Sequence, residues 1–154
     1  MIGSLIDARE ELKRVEHQIF VSLKYTRTVD VMMNIIGRMI DGYAFLIDAL
    51  LKKKVEEKVL EDIPHSPLER GKLLLSLTKD DEKIAANVDL YFLLRKLIRT
   101  NPEREQEYRR HVTLRTIVEG HEEAVTIDVL TEWYYFITDF YKHVELIIMP
   151  ERSD

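Results

Sequence analysis

The sequence predicts a mainly α fold: a helical bundle of four to five helices with one small β-hairpin before the C-terminal helix, in a single domain over residues 1–154. Three observations predict it. Five Gly and four Pro in 154 residues are too few turn residues for an all-β sandwich. Apolar residues recur at alternating steps of three and four along most of the chain, the period of helices that bury one face. One short β-branched run, around Gly120, breaks that period.

The elements follow in order. Ser4 precedes a stripe of Leu5, Ala8, Leu12, Val15 and Ile19, with Asp7 where a capping-box acid would stand, which predicts a first helix over about 5–23. From Thr28, Val29, Met32, Ile36, Met39, Tyr43, Leu46 and Leu50 repeat with helical spacing, flanked by Met33, Ile40 and Ile47, predicting a long helix over about 27–60. At 1.5 Å per residue it would extend on the order of 50 Å, long enough to invite a partner helix from another subunit.

Pro64 and Pro67 break that helix, because each lacks a donor and restricts the residue before it. Ser66, Pro67 and Glu69 then restart a helix with an N-cap, a first-turn proline and a capping-box acid. Thr78 with Asp81 predicts another cap. The helix after it, about 80–100, carries Ile84, Val88, Tyr91, Leu94 or Arg95, and Ile98 before Asn101-Pro102 ends it. Val112 to Val118 and Ala124 to Asp128 read as the two strands of a hairpin over about 110–128 that turns at Gly120. Asp128 is placed to cap the last helix, whose stripe is Leu130, Trp133, Ile137, Phe140, Val144 and Ile147. Tyr135 and Phe136 fall off that stripe and point to an aromatic surface for the hairpin or a second subunit.

Composition narrows the function classes. With 45% hydrophobic and 33% charged residues and a net charge of -5, the chain can bury a core. Having no Cys, it has no disulfide framework, thiolate metal site or cysteine nucleophile. Residues 1–20 mix Asp7, Glu10, Glu11 and Glu16 with Arg9, Lys13 and Arg14, so no secretory signal is expected and the chain is expected to be cytoplasmic. Asp30, Asn34, Arg38, Asp41 and Asp48 interrupt its most apolar stretch, which speaks against a membrane span.

No Gly-x-Ser-x-Gly elbow or Walker loop is present, and no Glu-x-x-His falls on a predicted helix, so no catalytic, cofactor or metal site is predicted. Asp139 and His143 form only a single i,i+4 pair. Two constellations remain. The first is the polar seam of the long helix, Asp30, Asn34, Arg38 and Asp41, where Arg38 can pair with Asn34 and Asp41 on one face. The second is the segment 95–115, with Arg95, Lys96, Arg99, Arg104, Arg109, Arg110 and Arg115 against three glutamates. Within it Arg104, Tyr108, Arg109, Arg110, His111 and Arg115 form a candidate anion or RNA-binding set, Tyr108 stacking a base while the arginines hold phosphates.

Two resemblances bear on these residues. Arg104 to His111 and Arg115 to His121 are spaced like the Arg–His motif of HEPN-type helical ribonucleases, which implies a cation for the scissile phosphate and an acid or base, on a helix. Ser22 to Asp30 and Tyr108 to Thr113 resemble a family of small, uncharacterised archaeal helical proteins; this implies a cytoplasmic, helix-rich archaeal protein and brings no catalytic residue with it. The leading expectation is a non-enzymatic module that forms a homo-oligomer, a dimer first, or binds a protein partner. An RNA-binding or RNA-cleaving module on segment 95–115 is the alternative.

Overall fold

A computed structural model describes residues 1–150; the last four residues of the expected domain lie outside the described residues. The chain is mainly helical, with a small antiparallel sheet before the C-terminal helix. Helix α1 (Ile2–His17) runs into a π-helical turn (Gln18–Ser22) and the short α2 (Leu23–Tyr25). They are followed by α3 (Val29–Glu56), α4 (Pro67–Leu77), α5 (Glu82–Leu97), the strands β1 (Glu103–Glu105), β2 (Thr113–Val118) and β3 (His121–Val125), and α6 (Ile127–Ile148).

The long helix is the axis of the molecule. All seven residues of its expected stripe are buried, and α1, α4, α5 and α6 of the same chain cover them. The expected stripe of α3 is therefore covered within the chain itself. α1 lies antiparallel to α3, with Ser4 meeting Asp48 and Glu11 meeting Arg38. α5 is also antiparallel to α3, through Tyr43 with Asn87 and Gly37 with Ile98.

Several caps differ from expectation. Ser4 is buried inside α1, and its hydroxyl donates to the Asp48 carboxylate, so the group that looked like a cap is used between helices. Thr28, not singled out as a cap in the sequence, caps α3 by accepting from the Val31 N–H, whereas Ser66 caps α4 as expected by accepting from the Glu69 N–H. Thr78 ends α4, its hydroxyl donating to the Leu74 carbonyl, while Asp81 alone caps α5. Thr126, not Asp128, caps α6 by accepting from the Val129 N–H, which leaves Asp128 as a first-turn acid facing the helix dipole.

The hairpin turns on Glu119 and Gly120, both at positive φ (50° and 83°), the conformation of a two-residue hairpin turn. Its second strand starts at His121, earlier than expected, because so tight a turn pairs Val118 directly with His121. The unexpected strand β1 pairs with β2, setting Glu103 opposite Arg115 and Glu105 opposite Thr113. The sheet rests on α5, α3 and α6. Tyr134 replaces Trp133 on the buried stripe of α6 and Ile148 replaces Ile147; Trp133 and Ile147 are half-buried at its margin.

Candidate functional site

The basic segment does not form one patch. Arg104 meets Asp30 at 2.8 Å and Glu107 at 3.8 Å. Arg115 meets Glu105 at 2.8 Å and Glu122 at 2.6 Å, and Lys96 meets Glu119 at 2.9 Å. The sheet explains this, because β1 and β3 bring glutamates alongside Arg115 on either side. The Arg104 hydrogen bond and charge hold the Asp30 carboxyl below its usual range, and the Arg115 hydrogen bond does the same for Glu105. Neither Arg–His pair lies on a helix as the ribonuclease resemblance implies: His111 is on a loop, Arg104, Arg115 and His121 are on strands, and both arginines already hold carboxylates.

What stays free is the loop between β1 and β2. Tyr108, Arg109, Arg110 and His111 are all exposed, Tyr108 by 76%. Backbone bonds fix this loop: the Tyr108 N–H donates to the Arg27 carbonyl at 2.7 Å, and the Glu107 carboxylate accepts from the Val29 N–H at 3.1 Å. Gln106 and Tyr108 take left-handed φ of 52° and 66°, which non-glycine residues adopt only when the surroundings hold them there. Tyr25, two residues from Arg27, is also exposed.

The polar seam divides as well. Asp30 goes to Arg104, while Asp48 joins Ser4, Lys52 and Arg70. Asn34, Arg38 and Asp41 stay together on one wall of a groove of about 620 Å³ between the π-helical turn, α3 and α5. Arg38 does not turn toward Asn34 or Asp41; it reaches Glu11 of α1 at 3.5 Å. Burial, and the nearby charge of Glu11, push the Asp41 carboxyl up despite Arg38. The opposite wall carries Arg95 from the last turn of α5 and Arg99 from the turn that follows it, and the π-helical turn adds Gln18. The sequence counted these two arginines only as charge; their i,i+4 spacing was the available signal of a shared face. Gln18 had none, because a π-helical turn leaves no periodic trace.

An aromatic cluster lies where the π-helical turn meets α6. The Phe20 ring centroid is 6.1 Å from that of Tyr134 and 6.4 Å from that of Tyr135, and the two tyrosines are 5.3 Å apart. Tyr134 is buried and donates its hydroxyl to Glu16; burial, with the Glu16 bond, pushes its phenol up to about 12. Phe20, Val21, Tyr135 and Phe136 remain exposed.

His143 contacts Asp81 at 2.7 Å rather than its helix neighbour Asp139, which pairs with Lys83. Among the described residues no three His, Asp or Glu side chains gather to hold a metal ion, and no helix is long and apolar enough to cross a membrane. Comparison with protein-family models, with curated proteins and with solved structures finds no match.

Proposed function

We propose that this chain is a non-enzymatic, cytoplasmic interaction module that associates with itself, a dimer in the first instance, through the aromatic surface where the π-helical turn meets α6. The observation that carries the reading is the contact between the exposed rings of Phe20 and Tyr135, 6.4 Å apart, each with an exposed apolar chain neighbour, Val21 and Phe136. Interfaces favour such side chains, and large apolar patches are uncommon on surfaces that stay solvated. Four side chains supply only part of the roughly 800 Å² per partner of a stable interface, so the dimer should dissociate in the micromolar range. Light scattering across a concentration series tests this. A concentration-dependent dimer lost in Val21→Glu with Tyr135→Glu supports the reading; a monomer at high micromolar concentration overturns it.

The exposed loop favours a second reading, RNA binding by Tyr108, Arg109, Arg110 and His111. Its support is narrower than the sequence promised, since Arg104 and Arg115 are held by carboxylates. Binding of single-stranded RNA should weaken steeply with salt and vanish in Arg109→Glu with Arg110→Glu, because phosphate contacts release counterions. Binding indifferent to that double substitution would remove the loop from consideration.

A further inference from the structure

The groove between the π-helical turn, α3 and α5 is built from features that neither the self-association surface nor the exposed loop uses. Its volume of about 620 Å³ falls inside the range of small-molecule sites, roughly 300–1,000 Å³. Arg95 and Arg99 face it without an ion pair among the described residues. Arg95 lies over the Tyr91 ring, its guanidinium carbon 5.6 Å from the centroid, a cation–π contact that favours this position. Arg38 stands across from them with one long contact to Glu11.

A second observation is independent of charge. Gln18 lines the groove, and its side-chain Oε1 is buried without a hydrogen-bond partner. Buried polar atoms are rarely left so, and each exception calls for an explanation such as a missing partner. The amide can rotate to present its N–H in place of the oxygen, so Gln18 can serve an acceptor or a donor on a ligand. Its backbone belongs to a π-helical turn, a distortion found frequently at functional sites. Gly37 lies between the walls, where an added Cβ would come to 3.4 Å from Ile98 Cδ1.

We propose that this groove binds a small phosphate monoester of about mononucleotide size, its phosphate gripped by Arg95, Arg99 and Arg38 and its organic part read by Gln18, Asn34 and Asp41. The three guanidinium groups and Asp41 leave a formal charge of +2, which matches a phosphate monoester near neutral pH. Three guanidinium forks offer more donors than the two oxygens of one carboxylate accept, and phosphate oxygens can take all three. The Asp41 carboxylate can accept from a sugar hydroxyl or ring amine of the ligand. Met33, Ile40 and Ile98 give the organic part an apolar surface. Inorganic phosphate alone would leave most of the volume unfilled.

The full-length chain is titrated by calorimetry and thermal shift with inorganic phosphate, ribose 5-phosphate, the four common nucleoside monophosphates and adenosine. At least one monoester should bind with a sub-millimolar Kd, at least ten-fold tighter than inorganic phosphate and adenosine. Arg99→Gln, on an exposed side chain, should weaken it ten-fold or more. Because Arg95 and Arg99 also border a smaller hollow beside Phe92, Gln18→Ala and Asn34→Ala are the deciding variants: each should weaken binding several-fold with the circular dichroism spectrum and oligomeric state unchanged. No shift with any monoester at about 5 mM overturns the proposal, since ligand stabilisation grows with concentration over Kd. Inorganic phosphate binding as tightly, or affinity indifferent to Gln18→Ala and Asn34→Ala, overturns it equally. A chain that stays monomeric at high micromolar concentration while binding a monoester would count against the self-association reading alone.

Discussion

The Tyr43 hydroxyl donates to Asn87 Oδ1 at 2.7 Å in the centre of the core, and the Asn87 amide donates in turn to the Lys83 carbonyl at 2.9 Å. Both residues are almost fully buried, and burial drives the Tyr43 phenol far above its ordinary value, so it remains a donor at every accessible pH. Tyr43→Phe keeps the ring and orphans the Asn87 oxygen, which should cost about 1–3 kcal/mol in urea unfolding. A change below about 0.5 kcal/mol would show that the oxygen finds another partner.

Asp81 joins two elements, capping α5 through the Ile84 N–H and holding His143 of α6 at 2.7 Å. Burial pushes its carboxyl up, but the Ile84 and His143 bonds outweigh burial, and it lies below its ordinary value. The carboxylate's contribution is therefore complete above about pH 4 and drains away as pH falls through the folded-state value. Asp81→Asn retains a capping oxygen and removes the charge, so its stability profile below about pH 4 should be flatter than that of the wild type. Equal acid slopes in the two proteins would contradict this. Asp81→Ala removes the cap too and should cost about 1–2 kcal/mol at neutral pH.

Two glycines should respond oppositely to alanine. At Gly71, inside α4, an added Cβ would lie 2.7 Å from Cε1 and Cζ of the Phe92 ring, so the ring or α4 would have to shift. Overpacking of this kind costs about 1–3 kcal/mol, more than the roughly 1 kcal/mol gained in helix propensity. Nothing stands within 4 Å of a Cβ at Gly3, in the first turn of α1, so Gly3→Ala should be neutral to mildly stabilising. Thermal unfolding of the two variants reads both signs.

Glu107 ties the sheet to the start of α3 by accepting from the Val29 N–H. Glu107→Ala should leave the core intact and speed hydrogen exchange at Val29 and at the neighbouring Tyr108 amide, with residues 35–47 of α3 unchanged. Faster exchange throughout α3 would mean that the contact supports the whole helix.

The long helix, the Ser66-Pro67 restart and the Gly120 turn were legible because each leaves a local mark: a period, a cap or a positive-φ residue. Strand β1 left none, since Glu103-Arg104-Glu105 has no apolar alternation and exists by pairing with β2. Ser4 was misread because the hydroxyl that can cap a helix can equally join two helices, and only the packing of α1 on α3 decides which. The candidate groove was half visible: Asn34, Arg38 and Asp41 stood out as polar residues on an apolar helix, whereas Gln18, Arg95 and Arg99 join them only through the fold. The basic segment failed for the converse reason. Its charges are adjacent in sequence, but strand pairing sets Arg115 against Glu105 and Glu122, and Arg104 meets Asp30 of α3.

The small sheet also constrains how copies of this chain can meet. Its order β1-β2-β3 leaves two open edges, one of three residues and one of five, bearing Glu103 and Glu105 on the first and Glu122 and Glu123 on the second. A second molecule adding a strand at either edge would align carboxylates with carboxylates along a very short ladder, the arrangement by which proteins discourage edge-to-edge growth. Association by sheet extension, with its open-ended route to fibres, is thus disfavoured from both sides.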